Sequence, residues 1–89
     1  MLLLGSMRAE QRLAAFLLNL SQRYAARGLS PTRFQLRMSR QEIGSYLGLK
    51  LETISRTFSL LQQRGLIHIH IKSIEILDME GLQTCLAGS

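Results

Sequence analysis

A short helix, a glycine and a second helix follow one another between Ser39 and Arg56, and this segment constrains the fold most. Ser39 precedes Glu42 by three positions. This is the spacing of a capping box, in which the serine accepts a first-turn N–H and the glutamate reaches back to the serine N–H. Gly48 can end the first helix in a left-handed conformation after about two turns. The pattern predicts a helix-turn-helix.

The second helix of the pair is predicted over about 51–64, with Gly65 as its stop. Apolar residues that recur at ~100° per residue define its inward face: Leu51, Ile54, Phe58 and Leu61. Polar residues cluster roughly opposite: Glu52, Ser55, Arg56 and Ser59. This polar face is short and chemically mixed, unlike the lysine and glutamate surface that a helix commonly turns to solvent.

One long helix is predicted before the pair, starting near Met7 with Ser6 as its cap and ending near Arg27. An apolar stripe at helical spacing supports it: Leu13, Phe16, Leu17, Leu20 and Tyr24. The segment 34–38 alternates apolar and polar residues, as a half-buried strand does. Within the first helix of the pair, the residues expected to face inward are Ile43, Tyr46 and Leu47.

A hairpin is predicted directly after the second helix, because residues 66–71 and 74–77 both alternate around a turn at Lys72-Ser73. Asp78 can cap a last short helix. A hairpin in that position is a wing. The predicted fold class is therefore α+β, a winged helix-turn-helix with a small antiparallel hairpin wing and a long N-terminal helix.

The 89 residues suit one small domain with a net charge of +5. Residues 1–65 carry ten Lys/Arg and three glutamates, a balance of +7, whereas residues 66–89 carry one lysine and three acids, −2. A basic body favours a polyanionic partner. The single cysteine excludes an internal disulfide and fits a reducing cytoplasm. No apolar run reaches the ~18 residues of a membrane span.

The segment 43–56, Ile-Gly-Ser-Tyr-Leu-Gly-Leu-Lys-Leu-Glu-Thr-Ile-Ser-Arg, closely resembles the DNA-binding domain of Crp/Fnr transcription regulators, specifically the Fnr-like branch. The stretches 12–16, 19–21, 28–31 and 34–38 resemble that branch as well. The resemblance implies sequence-specific binding of double-stranded DNA at TTGAT half-sites of a palindrome. It also implies a bacterial, cytoplasmic regulator that acts as a homodimer and contacts RNA polymerase.

By the same resemblance, residues 1–6 are interpreted as the end of an upstream connecting or dimerisation helix, and residues 7–89 as the winged helix-turn-helix domain. The complete regulator would carry an N-terminal sensor barrel. Fnr relatives hold an iron–sulfur cluster with cysteines that would lie outside this chain, and Cys85 matches none of them. We therefore expect no cofactor in this chain.

Three side chains of the second helix are predicted to read bases: Glu52, Ser55 and Arg56. The guanidinium fork of Arg56 can donate two hydrogen bonds to guanine O6 and N7. Glu52 either accepts from a cytosine amino group or holds Arg56 in position. Ser55 can bond a base edge or a phosphate, or pack against a thymine methyl group.

Seven residues are predicted to contact phosphates: Ser39, Arg40, Gln41, Lys50, Thr53, Ser59 and Lys72. The first three begin a helix, where exposed N–H groups attract anions. Lys50 departs from the family, which usually places a small hydroxyl residue there. A cation at a helix N-terminus is unfavourable, and a phosphate partner would offset that cost. Leu51 is expected to pack in the core.

Other readings of these residues remain open from sequence alone. Glu52 and Arg56 also have the spacing of an ordinary i,i+4 surface ion pair. His68 and His70 share one face of a strand, but zinc sites need three or four ligands, so no metal site is expected. No catalytic motif is recognisable, so we expect no enzyme activity. The alternative function is a winged-helix protein–protein interaction module that binds no DNA.

Overall fold

The computed structural model describes residues 8–87, which form four helices and one three-stranded sheet. The elements in chain order are α1 (Ala9–Ala26), β1 (Arg33–Gln35), α2 (Arg40–Leu47), α3 (Leu51–Gln63), β2 (Ile67–His70), β3 (Ser73–Ile76) and α4 (Met79–Leu86). The predicted winged helix-turn-helix is confirmed. The cap at Ser6, the start near Met7 and the connecting segment 1–6 lie outside the described residues.

The long first helix begins at Ala9, and the Oε1 atom of Gln11 accepts the N–H of the preceding Arg8 at 2.7 Å. It ends at Ala26, close to the predicted end, and Gly28 follows with a φ of +76°. Within residues 8–87, no helix combines the length and apolar character that crossing a membrane requires.

One hydrophobic core joins the helices to the sheet. Its fully buried side chains come from every helix and from the wing: Leu13, Ala14, Leu17, Ile43, Ile54, Phe58, Leu61, Ile67, Ile74 and Leu82. Helix α1 supplies the first three, while Leu20 and Tyr24 of its predicted stripe are half-buried at the margin. Helix α1 packs against both α3 and α4, and α2 packs against α3.

The sheet is antiparallel in the order β1-β3-β2, with the hairpin of β2 and β3 as the wing. His70 pairs with Ser73, so the turn consists of Ile71 and Lys72, one residue earlier than predicted. The first strand is also shorter than the predicted segment 34–38. Gln35 already pairs with Ser73, the first residue of β3, and the main-chain bonds end with the Leu36 N–H, which donates to Lys72 O.

Candidate nucleic-acid interface

Helix α2 begins at the predicted capping box. The N–H of Glu42 donates to Ser39 Oγ at 3.1 Å, and the N–H of Ser39 donates to Glu42 Oε1 at 2.8 Å. Two hydrogen bonds lower the pKa of Glu42 below its ordinary 4.5: the larger effect comes from the Ser39 backbone N–H, and the smaller from the Ser39 side chain. Local side chains therefore satisfy two donors at this helix start without help from the rest of the fold.

The turn between α2 and α3 depends on two glycines. Gly48 adopts a left-handed φ of +73° at the end of α2, as predicted. At Gly44, a Cβ atom would lie only 2.6 Å from the carbonyl oxygen of Leu49, whose own N–H donates to Gly44 O at 2.7 Å. Only glycine lets the backbones approach this closely. Helix α1 supports the same turn, because Arg12 Nη1 donates to Leu47 O at 2.9 Å.

Helix α3 turns most of its predicted apolar face into the core, where Ile54, Phe58 and Leu61 are fully buried. Leu51 is the exception and corrects the sequence prediction, since 52% of its surface is exposed. It occupies the first position of the helix, directly after the turn, where no helix within residues 8–87 covers it. Leu51 precedes Ser55 by four positions, and residues four apart are neighbours on a helix surface. This spacing is the sequence signal that places Leu51 beside the polar face.

The predicted base-reading side chains share the open face of α3. Glu52 and Arg56 expose 82% and 75% of their side chains, and Ser55 is half-buried between them. Glu52 Oε1 lies 3.8 Å from Arg56 Nη2, the outer limit of an ion pair. An exposed i,i+4 ion pair of this kind is weak, so each side chain can leave the other and bind a ligand instead. Neither the core nor the wing covers this face.

The start of α3 differs from the start of α2. Lys50 is its N-cap, and within the described part of the chain no side chain accepts a first-turn N–H. Thr53 is half-buried, and its carbonyl accepts the hydroxyl of Thr57 at 2.6 Å. An uncapped helix start with an adjacent lysine presents N–H donors and a cation to the same volume, which is the chemistry of anion binding.

The remaining predicted phosphate contacts lie around this helix. Ser39 and Gln41 are exposed at the start of α2, and Ser59 is exposed on α3. Arg40 is half-buried, and its Cζ atom lies 4.8 Å from the ring centroid of Phe58. This cation–π contact positions Arg40 against α3. Lys72 is exposed in the wing turn.

Tyr46 corrects a second prediction. It was expected to face inward, yet 67% of its surface is exposed. Its ring lies 5.9 Å from that of Phe16, centroid to centroid, at the margin of the core. Helix α2 is only eight residues long, and it buries Ile43 and Leu47 in the core. Tyr46 lies beside this buried side of the helix and remains exposed.

Groups suited to metal binding are sparse. No three His, Cys, Asp or Glu side chains converge on a metal-sized site within residues 8–87. The rings of His68 and His70 lie 6.4 Å apart on β2. Cys85 is half-buried, and this burial raises the pKa of its thiol. A single cysteine does not fit an iron–sulfur cluster, which takes four thiolates.

Comparison with known proteins agrees with this geometry. Residues 11–85 match the family model of the Crp-like helix-turn-helix domain. The transcriptional regulatory protein btr of Bordetella pertussis is 63% identical over 79 residues, which cover 89% of this chain and 33% of that protein. The transcriptional activator protein FnrA of Stutzerimonas stutzeri is 51% identical over 89 residues, covering 100% of this chain and 36% of that protein.

Solved structures give the same result. FixK2 from Bradyrhizobium japonicum superposes with a TM-score of 0.82 at 36% identity, over 93% of this chain and 40% of that one. The chain spans about a third of the length of the curated relatives. It therefore belongs to the Crp-like helix-turn-helix family, as a DNA-binding domain of the Fnr-like branch of Crp/Fnr transcription regulators.

Proposed function

We propose that the chain binds double-stranded DNA sequence-specifically, with α3 in the major groove of a TTGAT-like half-site. The observation that carries the proposal is the joint exposure of Glu52 and Arg56 one turn apart on one face of α3, with Ser55 between them. A helix of this diameter fits the major groove, and side chains on one face of it can reach neighbouring base pairs.

Base reading falls to the three side chains of that face. Arg56 donates two hydrogen bonds to guanine, a pairing that discriminates against a wrong base by roughly 1–3 kcal/mol. Glu52 accepts from a cytosine amino group and releases Arg56 from their weak ion pair as it does so. Leu51, exposed beside Ser55, adds apolar surface that can contact a thymine methyl group.

Phosphate contacts fix the register of the helix without reading sequence. The uncapped start of α3, with Lys50 beside it, supplies N–H donors and a positive charge. Arg40 is held over Phe58 at the edge of the same surface. Lys72 supplies a cation from the wing. Ser39, Gln41, Thr53 and Ser59 extend the set with hydroxyl, amide and backbone donors.

The curated relatives are about three times as long as this chain, and the properties of a full-length regulator are proposed from the family. One recognition helix reads half of a palindrome, so we propose that a homodimer reads the whole. Contact with RNA polymerase and action in the bacterial cytoplasm are part of the same proposal. Any effector or iron–sulfur cluster would belong to a sensor domain, because this chain has neither the cysteines nor a cluster of ligands within residues 8–87.

Affinity measurements on two duplexes test the proposal. Fluorescence anisotropy with a TTGAT duplex and a scrambled duplex should show a preference that Arg56→Ala reduces by ~5–150-fold, equivalent to 1–3 kcal/mol. Lys72→Ala should weaken both duplexes about equally, because it contacts only phosphate. Affinity should also fall steeply with salt.

Two results would contradict the proposal. Equal losses on both duplexes in Arg56→Ala would remove the base-reading role from this residue. A chain that binds neither duplex at low salt would instead favour the protein–protein interaction module as the function of the exposed face.

A further inference from the structure

The outer strand of the wing, β2, is joined to α3 by one side-chain hydrogen bond among residues 8–87. The sheet order places β2 at an edge, with β3 on its other side. In an antiparallel ladder, alternate residues of an edge strand direct their N–H groups away from the partner strand. Ile69 directs its N–H toward α3, where the side-chain oxygen Oε1 of Gln62 accepts it at 2.7 Å.

The opposite side of the wing is held by main-chain bonds. Strand β3 pairs with β1 along its length, and the N–H of Leu36 donates to Lys72 O at 2.7 Å, next to the wing turn. The wing therefore lies between a backbone ladder on one side and the side chain of Gln62 on the other. The ladder does not depend on any one side chain, whereas the Gln62 bond can be removed by a single substitution.

We propose that Gln62 is a positioning residue for DNA binding, which holds the wing at a fixed spacing from the recognition helix. This inference rests on the proposed function. With that spacing fixed, Lys72 can reach the DNA backbone while Arg56 is in the groove. A wing that is already ordered loses less conformational freedom on binding, and so binds more tightly. Gln62 itself is exposed near the end of α3 and needs no contact with a base.

The hydrogen bond between Ile69 and Gln62 should contribute little to the free energy of unfolding and more to the order of the wing. Both groups are exposed, so water can replace the amide oxygen when the wing moves away. Gln63 provides a matched control, because it is the same residue type, adjacent and also exposed. Thermal unfolding temperatures of Gln62→Met and Gln63→Met should therefore agree, which separates a positioning role from general stability.

Amide hydrogen exchange tests the attachment directly. Gln62→Met keeps the length of the side chain and removes the acceptor, so the Ile69 amide should exchange about two- to tenfold faster, the equivalent of one neutral hydrogen bond. Gln63→Met should leave it unchanged, and Gln62→Glu should preserve its protection because a carboxylate also accepts. Unchanged exchange at Ile69 in Gln62→Met would overturn the proposal.

Duplex affinity tests the consequence for binding. Gln62→Met should weaken binding of the TTGAT duplex about two- to tenfold in the parent chain. In a Lys72→Ala background the loss should nearly vanish, because the wing contact is already gone. An equal loss in both backgrounds would overturn the positioning role. A parent chain that binds no duplex would overturn the proposed function and that role together, while exchange at Ile69 would still decide whether Gln62 holds the wing.

Discussion

The helix-turn-helix and the wing differ in how well the residues at their turns suit the backbone conformation. In the first helix and turn of the helix-turn-helix, the residues are those that the geometry favours: a serine caps α2, and Gly48 takes the left-handed turn. In the wing, the left-handed turn position is occupied by Ile71, with φ +58° and 83% of its surface exposed. This conformation is costly for a β-branched residue.

The difference shows where each conformation is specified. The helix-turn-helix is encoded largely by residues within a few positions of each turn, with Arg12 of α1 as a support from outside. The wing turn is fixed instead by strand pairing, because β3 pairs with β1 on one side and with β2 on the other. A strained position persists only where its surroundings over-determine it. Substitutions should therefore destabilise the first region and can stabilise the second.

The largest effect is expected at Gly44, where the helix-turn-helix is tightest. Gly44→Ala forces a Cβ atom against the Leu49 backbone, which cannot shift cheaply, so the free energy of unfolding should fall by about 1–3 kcal/mol. Ser45→Ala, at the next and exposed position of α2, is the control and should change stability by no more than ~0.5 kcal/mol. Urea unfolding measures both. Equal stability of Gly44→Ala and the parent would refute the close approach.

The wing should respond in the opposite direction. Ile71→Gly removes the left-handed strain and should raise the free energy of unfolding by about 1 kcal/mol, after the entropy cost of glycine in the unfolded chain. Lys72→Gly is the matched control, because its φ is not positive and it gains no relief. Urea unfolding of the two variants gives the comparison. A destabilised Ile71→Gly would mean that the isoleucine side chain, not the strain, dominates at this turn.

The smallest effect concerns the cap of α2 and its dependence on pH. The folded pKa of Glu42 lies below its ordinary 4.5, so its carboxylate stabilises the folded state above that pH. The contribution is lost as the pH falls through the lowered pKa. Glu42→Gln keeps an acceptor but not the charge, so its difference in Tm from the parent should shrink below pH 4.5. A difference that stays constant with pH would contradict the assignment. Ser39→Ala should reduce the pH dependence only in part, because the backbone N–H of residue 39 still donates to Glu42.

The same contrast explains what could be predicted from the sequence. The capping box, Gly48 and the buried face of α3 follow from local spacing, and they were predicted. The wing turn was misplaced by one residue, because Ile71 gives no turn signal and the register is set by β1. The attachment of Gln62 to the wing was invisible for a related reason, since it depends on how the sheet edge meets α3. Leu51 and Tyr46 lie near helix ends. Periodicity predicts which face they share, but it does not show whether a neighbouring element extends far enough to cover them.

Selection of random duplexes tests most directly whether the exposed face of α3 reads DNA. The parent chain should enrich sequences containing TTGAT-like half-sites, and Arg56→Ala should enrich sequences in which the guanine is no longer fixed while the other positions persist. Enrichment of no sequence by the parent, or the same enriched half-site from both proteins, would contradict the assignment of base reading to this helix face.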